Sequence, residues 1–516
     1  MSRELTASEH QRMAEALQDP QRHPRAVDTV EVVTTHISTL LLTAEHAYKL
    51  KKPLDLGFLD FTTLESRRHA CDEELRLNGR LAPEIYLQRI AITGTPDDPA
   101  IDGDGPVLDW AVEMVRFDNT LRFDRLLAAD RLDAATLDAL AGQVADFHAR
   151  AAVAEAGSAW GTPEAVAAPA RENLEALRRE RPEDPRIEQL AGWTEAQLRQ
   201  LHASLESRRA QGCIRECHGD LHLGNIVAID GRPVVFDGIE FAPELRWIDT
   251  INEIAFLDMD LRSRGRTDLA ARFLSAYLEA TGDYTGTALL PFYRSYRALV
   301  RAKITALQRA QGSGDSAALD RDIEAYVALA SATMAPATPQ LILMHGLSGS
   351  GKSTVALRLV ERLDGVRLRS DVERKRLLGL TPDAATESGV GAGAYNRDLS
   401  ERTYARLESL AGELLGAGNT VIVDAASLRR SERERFRRFA EQCGVRFRVV
   451  ACCADARTLR QRIEARQAAG TDPSEADTAV LDYQLGVVEA PGDDEAGDTL
   501  RVESPDDPAL HTLQEG

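Results

Sequence analysis

The chain has 516 residues, 43% of them hydrophobic and 28% charged, with a formal net charge of −20. That length exceeds one ordinary core and implies two large domains or about three smaller ones, and the hydrophobic share excludes a disordered chain. The acidic balance argues against nonspecific nucleic-acid binding, which needs a positive surface to displace counterions, and against docking on anionic membranes.

Six cysteines, with Cys452 and Cys453 adjacent, do not make a disulfide framework. The N-terminus carries no apolar core of signal-peptide length, and no apolar run reaches the roughly twenty residues that cross a bilayer. A cytoplasmic protein is expected. Nothing in these patterns specifies an oligomeric state.

In chain order, a charged helical pattern comes first, then the β-like runs "TVEVVTTHIS" and "TLLLTAEHAYKLKKP". The segment "FTTLESRRHACDEELRLNGRL" follows, with Thr62 or Thr63 as N-cap and Leu64, Cys71, Leu75 and Leu81 at mostly helical spacing. "VLDWAVEMVRF" reads as a strand. From about Asp130 to Ala210 helix formers dominate, with loops expected at "GSAWGTPEAVAAP" and "RPEDPR".

Next comes "CHGDLHLGN", Cys217 to Asn225. A kinase catalytic loop needs a base near the acceptor hydroxyl and, five residues later, an amide oxygen for metal. His218-x-Asp220-x-x-x-x-Asn225 has that spacing. "NIVAIDGRPVVFDG" then predicts a hairpin turning at Asp230-Gly231, directly followed by Asp237. On this reading Asp220 takes or orients the hydroxyl proton, Asn225 and Asp237 hold Mg²⁺, and His218 braces the loop. Zinc on Cys213, Cys217, His218 and His222 is an alternative, although the spacing is a weak one for zinc.

The pattern resembles the aminoglycoside phosphotransferase and choline kinase branch of the protein-kinase-like fold, over about Val30 to Leu329. "AYKLKKPLDLGFLDF" and "CDEELRLNGRLAP" are similar to large bacterial proteins that fuse such a domain to a P-loop kinase. The resemblance implies Lys49 as the nucleotide-phosphate lysine and Glu74 as its helix partner. Lys51 shares the strand face of Lys49 and is its rival. One departure is that the first strands have no G-x-G-x-x-G flap: "TTHISTLLLTAEHA" lacks glycine.

Helical patterns run from Asp249 to about Met334, and Asp249, Asp258 and Asp260 there read as an exposed acidic face. "APATPQ", residues 335–340, breaks the pattern as a linker. The apolar strand "LILMHG" leads into "GLSGSGKST", which fits G-x-x-x-x-G-K-[ST]. Gly346, Ser348, Gly349, Ser350, Gly351, Lys352, Ser353 and Thr354 would bind ATP. The glycines let backbone N–H groups face phosphate, Lys352 reaches the β- and γ-phosphates, and Ser353 ligates Mg²⁺.

Farther on, "VRLRSDVERKRL" puts Asp371 past a strand end and Arg374 one turn later. These suit an acceptor hydroxyl and an anionic group, against Asp371 as a plain helix N-cap. Asp424 ends "TVIVDA" as a Mg²⁺ carboxylate or a turn residue. Arg462 and Arg466, four apart, suit a lid over the transferring phosphate or a solvated helix face. Strands "TVIVDA" and "FRVVACC" alternating with helices predict a parallel sheet.

This region, about Pro339 to Gly516, resembles the P-loop kinases of the gluconate kinase and zeta-toxin type through "SDVERK", "VIVDA" and R-x-x-x-R…"DPSEA". The resemblance implies Asp371 at the phosphoryl acceptor and a lid at Arg462/Arg466. The expectation is a two-domain chain: an α+β protein-kinase-like phosphotransferase fold (1–334), a linker (335–340) and an α/β P-loop kinase with a parallel sheet (341–516). ATP and Mg²⁺ are the expected cofactors, and a small-molecule hydroxyl is the expected acceptor.

Overall fold

The computed structural model describes residues 4–57, 59–310, 312, 315–381, 384, 397–469 and 477–514. They form two compact units: Met1–Ala139 with Asp146–Arg171 and Leu198–Leu257, and Leu140–Ala145 with Glu172–Gln197 and Asp258–Gly516. Among the described residues no helix is long and apolar enough to cross a membrane.

The first unit is built on a six-stranded antiparallel sheet of β1 (Glu31–Thr34), β2 (Ser38–Leu42), β3 (His46–Lys51), β4 (Tyr86–Thr95), β5 (Asp98–Ile101) and β6 (Val107–Val115), ordered β1-β2-β3-β6-β4-β5. The run that reads as one strand from Thr39 is two, β2 and β3. The pair β4 and β5 completes the sheet.

Alternation decides what each face meets. Leu41, Tyr48, Leu50, Ile90, Ile92 and Ala111 pack with Leu5, Met13 and Leu17 around the N-terminal helix Ala7–Ala16. The opposite face offers Ala47, Val112 and Met114 to Cys71 of the helix Leu64–Asn78. That helix is capped by Thr63, whose hydroxyl accepts the Ser66 N–H. Lys49 and Lys51, out of phase with Tyr48 and Leu50, therefore point toward it.

Three short strands follow: β7 (Ile214–Glu216), then β8 (Ile226–Ile229) and β9 (Arg232–Val235), which form a hairpin. The hairpin turns where Asp230 and Gly231 take φ of 50° and 74°, the left-handed pair that matches strand twist. Strand β10 (Trp247–Asp249) pairs with β7. The loop expected at residues 157–169 is shorter than its composition implies. A helix starts on Pro163, where a missing N–H costs nothing, and runs through Pro169 to Glu180.

In the second unit, β11 (Gln340–His345), β12 (Gly365–Arg369), β13 (Thr420–Asp424), β14 (Arg446–Cys452) and β15 (Thr499–Val502) form a wholly parallel sheet ordered β12-β13-β11-β14-β15. The helix Lys352–Leu363 lays Val355, Ala356, Leu359 and Val360 on Ile342, Met344, Ile422 and Val450. Ala271, from the helix Thr267–Thr281, is part of the same core. In such sheets ligands bind beyond the carboxyl ends of the strands. Those ends carry the glycine-rich loop, Asp371 and Asp424.

Candidate functional site

In the first unit, chemistry gathers where β3, the helix Leu64–Asn78 and the segment after β9 meet. Lys49 Nζ lies 2.8 Å from Glu74 Oε1 and 2.5 Å from Asp237 Oδ1. Lys51, fully buried, contacts Glu74 Oε2 at 2.5 Å and also pairs with Glu240. Two lysines thus face three carboxylates.

Burial opposes charge on both lysines, but Asp237 and Glu74 outweigh it at Lys49 and raise its pKa well above the ordinary value. Burial likewise works against the charge of Asp237, and Lys49 overcomes it, so this carboxylate ionises more readily than usual. Glu240 goes the other way: burial prevails over Lys51 and pushes its pKa up. The rivalry of the lysines resolves geometrically. Lys49 reaches the half-open Asp237, 45% exposed, whereas Lys51 is sealed between Glu74 and Glu240.

Asp237 sits at φ 64°, a left-handed conformation uncommon outside glycine and concentrated at functional sites. It is held there by its N–H donating to Tyr86 Oη at 3.1 Å and by the Gly238 N–H donating to Asn78 Oδ1 at 2.7 Å. The catalytic-loop candidates lie alongside. Asn225 Nδ2 donates to the Asp220 carbonyl at 3.1 Å and to Asp220 Oδ2 at 2.9 Å. His222 Nε2 is 3.3 Å from the same carboxylate oxygen.

His218 receives the Asp220 N–H on Nδ1 at 3.3 Å and places Nε2 2.9 Å from the Phe236 carbonyl. That carbonyl requires the proton on Nε2, and burial lowers the ring's pKa, so the imidazole is neutral. Glu253, which no local pattern pointed to, takes the His218 N–H at 2.8 Å and the Gly219 N–H at 3.0 Å. Gly219, at φ 89°, makes this turn where a Cβ would meet the Leu245 carbonyl at 2.8 Å.

The donor set suits a hard cation. With its amide nitrogen committed to Asp220, Asn225 has Oδ1 left without a hydrogen bond among the described residues, and Asp237 supplies an ionised oxygen. Mg²⁺ is usually held by one or two such groups together with substrate phosphates and water. Zinc has no comparable set. Among the described residues no three His, Cys, Asp or Glu side chains are placed to hold a metal ion together, and the Cys217 thiol turns to the Ile248 carbonyl at 3.6 Å. The acidic face expected at Asp249, Asp258 and Asp260 is not exposed. All three are buried, paired with Arg208, with Arg262 and Arg294, and with Arg264.

In the second unit, β11 runs into the glycine-rich loop. Gly346, Gly349 and Gly351 take φ of 147°, 81° and 90°. At Gly349 a Cβ would sit 2.7 Å from the Leu459 carbonyl, so both conformation and space demand glycine. Lys352 opens the helix and donates to the Leu347 carbonyl at 2.8 Å. Ser353 and Thr354 follow it in the first turn. Ser350 Oγ is buried without a hydrogen bond, and the Ser348 N–H donates to Gln484 Oε1 at 2.7 Å, a contact the sequence reading missed.

Arg462 lies on the helix Ala456–Ala469 with one guanidinium nitrogen 3.4 Å from the Gly349 carbonyl, which puts it at the loop rather than on a remote face. The side chain of Arg466 and the "DPSEA" segment fall outside the described residues. Asp424 ends β13 in register with Arg369 of β12, and its Oδ2 is buried without a hydrogen bond. A buried orphan carboxylate oxygen beside a phosphate loop fits a metal's water shell. Asp371 is not the N-cap of its helix, Ser370–Leu377; Arg369 is. Asp371 instead pairs with Arg374 at 2.7 Å.

Residues 341–491 match the family described as AAA domain, AAA_33. Over 455 residues the chain is 32% identical to Uncharacterized protein Rv2004c of Mycobacterium tuberculosis (strain ATCC 25618 / H37Rv) and to Uncharacterized protein Mb2027c of Mycobacterium bovis, covering 88% of this chain and 89% of each relative. Among solved structures, a choline/ethanolamine kinase family protein from Mesorhizobium loti aligns at 11% identity, covering 64% of this chain and 95% of that one, with a TM-score of 0.39. A gluconokinase from Sinorhizobium meliloti 1021 aligns at 23%, covering 35% and 90%, with a TM-score of 0.24. The topology and the two residue constellations carry the fold. The chain belongs to the family of these mycobacterial proteins, and it joins a protein-kinase-like fold to a P-loop fold whose residues 341–491 match the AAA domain.

Proposed function

We propose that the protein is an ATP-dependent phosphotransferase with two active sites, each passing the γ-phosphoryl group of ATP to a hydroxyl of a small molecule. The observation that carries a second active site, in the first unit, is Lys49 held between Glu74 and Asp237 next to the Asp220–Asn225 pair. A lysine fixed by a helix glutamate beside a metal-binding aspartate is the device by which kinases hold nucleotide phosphates.

There Asp220, its carboxylate held by Asn225 and near His222, orients the acceptor hydroxyl and takes its proton as the oxygen attacks the γ-phosphorus and the bond to ADP breaks. Asn225 and Asp237 would hold Mg²⁺, which when bound screens the phosphate charge. In the second unit the loop Gly346–Thr354 wraps the phosphates, Ser353 and Asp424 would hold Mg²⁺, Asp371 receives the acceptor with Arg374 beside it, and Arg462 neutralises the transferring group.

A second reading makes the P-loop site the only catalytic one, with a ligand-binding, regulatory first unit. It is favoured by the turn between β1 and β2, which lacks glycine and is closed by Thr35 and Ser38. A screen of hydroxylated metabolites with γ-labelled ATP on the wild type, Asp220→Ala and Lys352→Ala decides. Two active sites require each variant to lose a different product. Loss of all transfer in Lys352→Ala alone favours the second reading. Release of free phosphate with no labelled acceptor overturns both.

A further inference from the structure

The acceptor-bearing segment of the P-loop site is unusually basic, and its charge is met from outside the conventional P-loop core. Arg367 and Arg369 lie near the end of β12, both less than a tenth exposed. Arg376 lies in the helix that begins with Asp371's turn. All three converge on the C-terminal end of the helix Thr267–Thr281, which precedes the linker in sequence but belongs to the same compact unit.

Glu279 of that helix accepts from Arg367 at 2.7 Å and approaches Arg369 at 3.5 Å, and its backbone carbonyl accepts from Arg376. The Arg367 N–H donates to Ser275 Oγ, one turn earlier, at 3.1 Å. A helix C-terminus, with its partial negative charge, is the favourable end for such cations.

Arg367 has a second carboxylate in reach. Its other terminal nitrogen is 3.8 Å from Asp424 Oδ2, the buried oxygen with no hydrogen bond. That spacing is too long for a hydrogen bond and short enough for a strong electrostatic pull. Asp424 is the carboxylate the P-loop reading reserves for Mg²⁺, so an arginine closing on it would compete with the metal. The 2.7 Å bond to Glu279 holds the guanidinium back.

We propose that Glu279 is a positioning residue of the P-loop site, tethering Arg367 away from Asp424 so that Asp424 stays available to Mg²⁺. The proposal rests on the phosphotransferase reading of that site. Without the Glu279 charge, the Arg367 side chain swings the remaining distance to Asp424, and the site needs more Mg²⁺ to bind nucleotide. Chemistry at saturating Mg²⁺ is left intact. The helix Thr267–Thr281 thereby does more than pad the sheet: its last turn sets the metal requirement of a site whose motifs all lie after the linker.

The test titrates Mg²⁺ against binding of a fluorescent ATP analogue to the full chain, with Lys352→Ala defining the P-loop share of the signal. In Glu279→Gln the Mg²⁺ midpoint of that share should rise roughly three- to tenfold. In Glu279→Gln/Arg367→Met it should fall back to the value of Arg367→Met alone, at or below the wild type, since the competing cation is gone. Arg367→Met alone should lower the midpoint, and it carries the test if Glu279→Gln does not fold.

An unchanged midpoint in folded Glu279→Gln, an equal shift in the double variant, or no fall in Arg367→Met overturns the tether while leaving the P-loop reading in place. If Lys352→Ala leaves the whole Mg²⁺-dependent signal unchanged, the P-loop reading falls and the tether falls with it.

Discussion

Replacing Lys51 by methionine separates the two lysines of β3. Lys51 is fully buried and is bonded to Glu74 at 2.5 Å and to Glu240, both also buried. Its removal strands Glu240 in the core and leaves Glu74 to Lys49 alone, and breaking a buried pair from one side costs about 3–5 kcal/mol. For a unit of this size that is a fall in melting temperature of roughly 10 °C. Lys49→Met is a milder change for the fold, because Lys51 still serves Glu74 and Asp237 is half open to solvent. It should cost about 1–2 kcal/mol yet abolish transfer at the first site.

The deficit of Lys51→Met also has a pH signature. The stranded Glu240 has a folded pKa raised above its unfolded one, so the penalty is complete at alkaline pH and fades as pH falls toward the unfolded value near about 4.3. Adding Glu240→Gln should restore a large part of the loss. Thermal unfolding followed by circular dichroism at pH 8 and pH 5.5, beside labelled-phosphate transfer, reads all of this. If Lys51→Met melts no lower than Lys49→Met, or its deficit does not shrink with acid, the assignment of Lys51 to the scaffold and Lys49 to the phosphates is wrong.

Gly349→Ala must force a Cβ to 2.7 Å of the Leu459 carbonyl at φ 81°, so nucleotide binding at the P-loop should be lost, as read by equilibrium titration. Normal binding would mean the loop rearranges freely. Asp237→Asn keeps a residue that tolerates φ 64° but removes the charge facing Lys49. It should melt within a few degrees of the wild type while first-site transfer drops at least about a hundredfold; retained turnover contradicts the assigned role. Burial holds His148 down to about 3 and also lowers His218 and His345. These rings stay neutral in the fold and protonate on unfolding, so stability is retained above about pH 6.5 and falls below it, for His148 by about 1.4 kcal/mol per pH unit. His148→Gln should flatten the acid limb of a stability–pH curve by one proton, and coincident slopes would refute its burial as a neutral ring.

Much of the two sites is legible in the chain because each is built on short, local pieces. The phosphate loop, the spacing from Asp220 to Asn225 and the hairpin delivering Asp237 are contiguous segments whose backbone requirements, glycine at positive φ and Asp-Gly at the turn, are written in residue type. Strand alternation likewise put Lys49 and Lys51 on one face. What alternation cannot do is choose between them, because the choice depends on where Glu240 and Asp237 arrive from 189 and 188 residues away. Asp249 and Asp258 read as part of an exposed face for the same reason: Arg208 and Arg294, which help them to be buried, are supplied by other helices, whereas Asp260 is paired locally with Arg264. Gln484, Glu253 and Glu279 left no mark in any motif, since each acts on a backbone N–H or a guanidinium brought near only by packing.

The sequence by itself determined the two local motifs, their order and most of the groups gathered at the two candidate sites, because those requirements are local and steric. The tertiary structure decided which buried charge pairs with which. It made Lys51 scaffold, gave Asp424 its unpartnered oxygen, and set a glutamate from before the linker against the arginines of the P-loop unit. A buried charge is tolerated only where a partner arrives, and the partner's place in the chain is not constrained by its place in space.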